Sequence, residues 1–570
     1  MKNKKLIGAD VLLKSLIKEN TEIIFGYPGG VTIPLHDRLK DYPKIKHVLP
    51  RNEQACALAA DAYFRVKGKV AVCLSTSGPG ATNLVTGIAN AYMDSIGMIV
   101  ITCQVAKPLV GTDAFQEVDI IGITQPIVKH SYFVENVSDI PRIVKEAFSL
   151  AVQGRPRPVH IDIPADVLKE VFDDKFVYPE NKEISKLPAI KESQVIKLVN
   201  LINQSKSPII IAGHGVILSD AVKDLKLLVE KINIPVTTTL LGIGVIDERN
   251  SLSLGMLGMH GMGWANRAVD ESDLIIGIGV RFNDRITGKV SEFAKNAKIV
   301  HIDIDRAELG KIIKPNIAIH SDAKIAIREI SKRIKSKKHS DWINQIKLWQ
   351  KEYNFQKIQK ASRVNKKDNK FLSAQNVIEE IYNVTKNKKV IISSDVGQNQ
   401  MWTAQFYKYS KNKKLLSSGG LGTMGYSLPA AIGAAFANPK DQVWAIMGDG
   451  GAQMNVQELG TIMENKLPIK IVILNNSYLG MVRQWQELFY GKNYAATPMK
   501  NPNFKKIADA YNIKAYNINN EKGLKDRIKE AALSEESILL EIKIGKEDIV
   551  LPMIAPGAPI TSIIKSRKDI

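Results

Sequence analysis

The sequence predicts an α/β protein built from three doubly wound, parallel-sheet domains. Three observations support this. Short runs rich in β-branched residues alternate with helical stretches along the chain, the pattern of strands joined by crossover helices. Most of these runs end in Gly or polar residues, as strands do when their C-terminal ends face a ligand crevice. Two polar, aperiodic stretches cut the series into three sets of similar size.

The first set spans residues 1–170, with strands expected at EIIFGY, VAVCLST, MIVITC and PVHIDIP. Within it, RNEQ (Arg51 to Gln54) follows the short apolar run IKHVLP and leads into ACALAADAYFRVKG. Glu53 therefore stands at a strand-to-helix junction. The unpaired N–H groups of a helix start stabilise an acid there, so the local sequence favours a capping or solvated role. From Lys169 to Leu187 the chain turns polar and reads as a linker. The second set, residues 188–335, carries SPIIIAGHG, PVTTTLLG, DLIIGIGVRF and KIVHIDID. A charged, partly helical stretch from about Ser331 to Asn369 reads as a second linker. The third set, residues 370–548, carries KVIISSD, VWAIMGDG, IKIVILNN and ILLEIKI. Residues 549–570, Pro-rich and basic, read as a C-terminal tail.

The chain has 570 residues, 45% of them hydrophobic, enough for several cores. The first apolar stretch is broken by Asp10, Lys14 and Lys18, unlike a secretory signal. No run reaches the roughly 18–20 apolar residues of a membrane span, so no membrane partner is expected. Cys56, Cys73 and Cys103 show no CxxC spacing and read as buried thiols of a reducing compartment. The expected location is cytoplasmic, or the plastid stroma for an organelle-encoded chain. The formal net charge of +21 invites a nucleic-acid reading. Its lysines are spread along the chain, and neither zinc-finger spacing nor an aromatic-basic RNA motif is present, so no nucleic-acid partner is expected.

The sharpest motif is VWAIMGDGGAQMN followed by IKIVILNNSYLG. Gly448-Asp449-Gly450 ends an apolar strand, Ala452 to Lys466 has helical character, and a second apolar strand ends at Asn475-Asn476. A right-handed βαβ unit brings Asp449 and Asn476 to the C-terminal edge of parallel strands, beside a glycine turn and a helix start. Oxygen ligands there suit a hard divalent cation that also takes phosphate oxygens, and helix-start N–H groups bind the phosphate.

This pattern resembles the cofactor motif of the thiamine-diphosphate-dependent enzymes. The resemblance extends through FGYPGG, STSGPGATNLVTGIANAYMDSI, GTDAFQEVD, GMLGMHG, VRFNDR, SDVGQNQM, SSGGLGTMGYSLPAA, MNVQEL and GMVRQWQE to the large catalytic subunit of acetohydroxyacid (acetolactate) synthase. It implies a pyrimidine-binding first domain, a central FAD-binding Rossmann-like domain and a diphosphate-binding third domain, in a transferase of branched-chain amino-acid biosynthesis with thiamine diphosphate, Mg2+ and FAD as cofactors. Such an enzyme decarboxylates pyruvate and adds the two-carbon unit to a second pyruvate or to 2-oxobutanoate. It also implies a homodimer or tetramer with active sites between subunits, and a small regulatory subunit.

By that resemblance Asp449, Asn476 and the Tyr478 carbonyl hold the metal. Glu53 is catalytic, hydrogen-bonding the cofactor's pyrimidine N1′. Gly29 lies near the reacting carbons, and Phe115, Gln116 and Lys129 line the substrate approach. Met481 and Trp485 face the acceptor substrate. Gly397, Gln398, Gly422, Met424, Gly450, Gly451 and Ala452 shape the thiamine groove. For FAD the matching positions are Arg155, Gly213, Gly215, Thr239, Leu240, Leu257, Gly258, Met259, His260, Gly279, Arg281, Asn283, Arg285, Asp303, Ile304 and Asp322.

The chain departs from the family's usual residues at Val31, Asn52, Gly97, Cys103, Arg157, His214, Asn283 and Asn399. The rival readings are another thiamine enzyme (glyoxylate carboligase, pyruvate oxidase or decarboxylase, or a flavin-free acetolactate synthase) and a non-catalytic paralogue.

Overall fold

The computed structural model describes residues 5–173, 175–180, 190–355, 358 and 371–569. The ends of both expected linkers, residues 181–187 and 359–369, lie outside these. The described part of the second linker includes a helix, Ser340–Glu352, whose Trp342, Ile346 and Trp349 are buried.

Three six-stranded parallel sheets form the frame. The first contains β1 (Ile23–Gly26), β2 (Lys46–Val48), β3 (Ala71–Ser75), β4 (Met98–Gln104), β5 (His130–Phe133) and β6 (Pro158–Pro164). The central sheet contains β7 (Pro208–Ala212), β8 (Val236–Thr238), β9 (Ser253–Met256), β10 (Leu274–Ile278), β11 (Lys298–Asp303) and β12 (Ile317–His320). The third contains β13 (Val390–Ser394), β14 (Lys413–Leu416), β15 (Gln442–Gly448), β16 (Lys470–Asn475), β17 (Lys514–Ile518) and β18 (Ile538–Lys543).

The central order is β9-β8-β7-β10-β11-β12, which is the Rossmann order 3-2-1-4-5-6. The first sheet runs β2-β1-β3-β4-β6-β5 and the third β14-β13-β15-β16-β18-β17, the same order in both. The inner strands are buried end to end, as in Val-Cys-Leu of β3 and Ile-Ile-Ile of β7, because helices cover both faces. In each sheet the strand order reverses between two inner strands, and the C-terminal edge there opens a crevice.

The first and third domains meet through two helices, Glu53–Lys67 and Ser427–Ala437. Both carry alanine-rich faces, ACALAA and AAIGAA, and so approach closely. At Gly433 an added Cβ would lie 2.0 Å from the Ala59 carbonyl oxygen, so only glycine fits there.

Residues 549–569 are not a free tail. Met553–Ile554 pairs antiparallel with Ile563–Ile564, and the Ile554 N–H donates to the Met259 carbonyl at 2.8 Å. Leu551, Met553 and Ile560 are buried with Leu257 and Phe282 of the central domain. The apolar residues interleaved with the prolines supply the burial that a reading of Pro and basic content overlooks. Among the described residues, no helix is long and apolar enough to cross a membrane.

Candidate active site

The third domain builds one half of the site. β15 and β16 are parallel neighbours in register Gly448↔Leu474, so the chain leaves both strands at one edge. The helix begins at Asp449, three residues earlier than the sequence predicts, because Gly450 and Gly451 continue into its first turn (Asp449–Met454). Asp449 is therefore a first-turn acid, almost fully buried, beside N–H groups that lack intrahelical partners. Burial pushes its carboxyl up, and the Asn501 amide, donating to Oδ2 at 2.5 Å, pulls it back. Asn501 also donates to Asn475 Oδ1 at 3.0 Å. The Asn476 Oδ1 accepts from the Tyr478 N–H at 3.0 Å, closing a tight turn in which Ser477 has φ +59°.

A groove opens here, lined by Gly397, Gln398, Met424, Asp449, Gly450, Gly451, Asn476, Tyr478 and Met481. Its floor is bare backbone: a Cβ on Gly450 would meet Leu479 Cδ2 at 2.8 Å, and one on Gly451 the Asp395 carboxyl at 2.8 Å. That cradle fits a diphosphate. Among the described residues no three His, Cys, Asp or Glu side chains gather as a metal cluster. A cation at Asp449 would thus draw on amide, carbonyl and phosphate oxygens, the preference of magnesium. Ala452 is buried in the helix outside the groove lining, and Gly422 (φ +76°) is tied by its N–H to Ser418 Oγ at 3.0 Å. Trp485 lies one helical turn beyond Met481 on the helix Gly480–Phe489, its ring edge-on to Phe489.

Sequence reasoning missed Asn501 and Asp395. Asp395 is fully buried and accepts from the Gly425 N–H at 3.0 Å and the Ser427 N–H at 3.2 Å, pinning the loop that carries Met424. Nothing in KNPNF marks Asn501, whereas Asp395 could have been found from its place at the end of KVIISSD.

The first domain builds another half. Asn52 caps the helix Glu53–Lys67, its side chain accepting from the Gln54 N–H at 2.8 Å, a role an amide performs well. Glu53 is thereby the first helical residue, and it is buried. The Asn83 amide donates to its Oε2 at 2.9 Å, and bare Gly80 leaves Oε1 uncovered: a Cβ there would stand 3.2 Å from it. Gly29 packs on Thr76, where a Cβ would meet the side chain at 2.5 Å. Gly78 (φ +57°) packs on the Gln116 backbone, itself at φ +62°. Glu53, Gly29 and Gln116 thus surround one set of loops, with Phe115 88% exposed beside them.

Lys129 is not brought to this cluster. Its ammonium donates to the carbonyls of Leu150 at 2.8 Å, Arg155 at 3.0 Å and Gln153, capping the helix Ile140–Val152. Unpaired carbonyls at a helix end attract a cation. Burial lowers the lysine to about 8.

The central domain holds a cavity where β7 and β10 diverge, lined by Arg155, Gly215, Gly279, Arg281, Asp303, Ile304 and Asp322, and by His214. Gly213 and Gly279 interlock: a Cβ on Gly213 would lie 2.1 Å from the Gly279 oxygen. Asp303, pushed up to about 6 by burial, stands at the end of β11 and faces the same cavity. Arg155 pairs with Glu308 at 2.8 Å and Asp305 at 3.2 Å, and Arg281 donates to the Met93 carbonyl at 2.6 Å. Asp322 caps the helix Ala323–Arg333.

Thr239, Leu240, Leu257, Gly258, Met259, His260, Asn283 and Arg285 lie outside that cavity lining. The loop Leu257–His260 is laced to Arg285, with the Met259 N–H on the Arg285 carbonyl at 2.9 Å and the guanidinium on Met259 Sδ at 2.8 Å. Asn283 Oδ1 and His260 Nδ1 are buried without a protein partner, which fits a polar ligand laid along this surface. His214 is neutral, lowered to about 3 chiefly by burial, and meets the Asp94 carbonyl at 3.0 Å through Nδ1. Arg157 stacks on Tyr92, 4.2 Å from the ring centre.

A diphosphate cradle in one domain, a buried glutamate in its topological twin and a nucleotide-type crevice between them in sequence define the class of enzymes that work through thiamine diphosphate. Comparison with known proteins agrees. Residues 7–123 match the thiamine pyrophosphate enzyme N-terminal TPP-binding domain, residues 195–330 the central domain, and residues 395–542 the C-terminal TPP-binding domain. The chain is 46% identical to the acetolactate synthase large subunit of Porphyra purpurea, over 98% of this chain and 96% of the relative. It is 46% identical to the probable acetolactate synthase large subunit of Methanococcus aeolicus, over 99% and 96%. It is 42% identical to the chloroplastic acetolactate synthase 1 of Nicotiana tabacum, over 98% and 84%. The chain belongs to the acetolactate synthase large-subunit family of thiamine pyrophosphate enzymes.

Proposed function

We propose that the chain joins two 2-keto acids with loss of carbon dioxide: two pyruvates give 2-acetolactate, and pyruvate with 2-oxobutanoate gives 2-aceto-2-hydroxybutanoate. The observation that carries this reading is the placement of Asp449 and Asn476 at the ends of adjacent parallel strands over the Gly450–Gly451 cradle.

Thiamine diphosphate, when bound, supplies the electron sink that decarboxylation of a 2-keto acid requires and that no side chain provides. Asp449, Asn476 and the Tyr478 carbonyl would hold Mg2+, and the first-turn N–H groups would hold the diphosphate. Met424 presses against the groove from the opposite loop. Glu53 would hold or release a proton at Oε1, the oxygen that Asn83 leaves uncovered, toward the cofactor's pyrimidine ring. Met481 and Trp485 contact the acceptor. An apolar contact of one methylene discriminates by only about 1–3 kcal/mol, so they set a preference for the longer acceptor and do not exclude pyruvate. The Gly213–Gly279 crevice and the Leu257–Arg285 loops would hold FAD.

The groove lining comes entirely from residues 396–544, and Glu53 is not part of it. A second copy of the chain completes each site by offering its Glu53 cluster, which makes a homodimer the smallest active unit and a tetramer two such units. The relatives are named large subunits, which supports a small regulatory partner. The chloroplastic tobacco relative accords with a plastid or cytoplasmic setting.

The test is an assay for acetolactate and acetaldehyde with thiamine diphosphate, Mg2+, FAD and pyruvate, with Glu53→Gln alongside. Acetolactate that collapses in the variant supports the reading. Acetaldehyde alone would make the protein a decarboxylase.

A further inference from the structure

Under the Phe115–Gln116 loop lies a chain of polar side chains that the proposed chemistry does not use. Thr102 and Gln104 on β4, His160 and Asp162 on β6, and Thr124 at the end of the helix Ile120–Thr124 are all buried. Thr102 Oγ1 lies 2.5 Å from Asp162 Oδ1 and 2.7 Å from His160 Nε2. His160 Nδ1 lies 3.0 Å from Thr124 Oγ1, and the Thr124 hydroxyl is 2.7 Å from the Ile120 carbonyl. Gln104 Nε2 donates to the Val118 carbonyl at 2.9 Å and reaches Asp162 Oδ2 at 3.4 Å.

Counting hydrogens links the directions of these bonds, and the shorter of the two contacts at Thr124, to the Ile120 carbonyl at 2.7 Å, sets the first of them. Each hydroxyl has one hydrogen. The Ile120 carbonyl can only accept, so Thr124 donates to it and accepts from His160 Nδ1–H. A neutral His160 then accepts at Nε2 from Thr102. Thr102 has no second hydrogen, so the hydrogen between it and Asp162 belongs to the acid. The opposite run, with Thr124 donating to His160 Nδ1, His160 Nε2–H to Thr102 and Thr102 to an ionised Asp162, buries a carboxylate with no cation beside it among the described residues, and an imidazolium would bury a second charge, each at a large desolvation cost. Burial acts the same way on both groups, raising Asp162 to about 7 and lowering His160 to about 3, with Asp119 and the Cys103 thiol the other titratable groups near the acid.

We propose that Asp162, held as the neutral acid, heads a one-way hydrogen-bond chain through Thr102, His160 and Thr124 that, with Gln104, positions the substrate-facing loop bearing Phe115 and Gln116. The chain grips that loop at Val118 and at the helix beginning at Ile120, two and four residues after Gln116. These are positioning residues. The inference rests on the reading of that loop as the substrate approach.

The test uses Asp162→Asn, Asp162→Ala, Thr102→Val and Thr102→Ser in the full-length holoenzyme. An asparagine amide donates to Thr102 and accepts from Gln104 as the neutral acid does. Asp162→Asn should therefore keep kcat/KM for pyruvate within about twofold, while Asp162→Ala and Thr102→Val raise KM about tenfold with a smaller change in kcat. Thr102→Ser should restore it. Amide hydrogen exchange over residues 105–124 should quicken in Thr102→Val and not in Thr102→Ser. Infrared spectra at mildly acidic pH should show a carboxylic-acid C=O band that Asp162→Asn removes. The last two readouts hold even if the wild type makes no acetolactate, an outcome that would sink the functional reading alone. Loss of activity in Asp162→Asn equal to that in Asp162→Ala, or absence of the acid band, would overturn the neutral-acid assignment. Unchanged KM and unchanged exchange in Thr102→Val would overturn the positioning role.

Discussion

Replacing Arg65 with Met is expected to destabilise the junction between the first and third domains by about 3 kcal/mol. Arg65 is buried and donates to Asp61 at 2.7 and 3.2 Å and to Asp94 at 2.8 Å; both carboxylates are fully buried. Removing one partner of a buried ion pair costs about 3–5 kcal/mol, because the other charge is left uncompensated. Two features place this case at the low end. Asp94 keeps the N–H groups of Gly419 and Gly420, at 2.9 and 2.7 Å. Asp61 keeps the Tyr426 hydroxyl at 2.8 Å and the Asn90 amide at 3.2 Å, and burial already raises its carboxyl, so it takes up a proton when the guanidinium goes. Equilibrium urea unfolding followed by circular dichroism gives the difference. Adding Asp61→Asn to Arg65→Met should recover most of the loss, since it removes the orphaned charge. Thiamine diphosphate should also bind the single variant more weakly, because Asp94 and Asn90 anchor the Ser418–Met424 loop. A loss under about 1 kcal/mol, the size seen for exposed pairs, or no recovery in the double variant, would refute the reasoning.

Asn501→Ala removes the amide that orients Asp449, and the Mg2+ concentration for half-maximal activity should rise about 10- to 100-fold, as when other outer partners of a metal ligand are lost. Gly451→Ala drives a methyl into the Asp395 carboxyl and should cost about 1–3 kcal/mol of overpacking; Gly450→Ala meets only the tip of Leu479 and should cost less. Fluorescence titration with thiamine diphosphate ranks the two. Asp162 has a folded value of about 7 against an ordinary 3.8, so the folded chain keeps a proton that the unfolded chain releases. Its stabilising contribution is complete below pH 3.8 and is lost as pH rises to about 7, and Asp162→Asn should lack that slope in denaturant midpoints measured across the window.

The inner strands of all three sheets were legible in the sequence because both their faces are covered and they read as unbroken apolar runs. The strands it did not mark as such are the sheet edges. His130–Phe133 has no buried residue, Lys514–Ile518 mixes exposed polar residues with buried Ala515 and Ile518, and Lys46–Val48 shows only as part of a short apolar run. The metal-side residues were legible because one βαβ unit places them within a single stretch. Asn501 was not, since it reaches Asp449 from a loop 52 residues away. The commitment of the Lys129 ammonium to three carbonyls was equally hidden, because it depends on where the helix Ile140–Val152 ends.

The shared strand order of the first and third sheets bears on why one chain would carry both a glutamate cluster and a diphosphate cradle. Each sits at the crevice edge of its own sheet, and the groove lining draws on the third domain alone. A single copy therefore presents two unlike halves. In the homodimer proposed above, a two-fold axis would set each half against its complement, giving two equivalent sites and leaving neither half unused. The exposed Phe115 and its neighbours in the first domain then become interface residues. On this argument Phe115→Asp should weaken association and activity together, and dilution should lower the specific activity of that variant more steeply than that of the wild type.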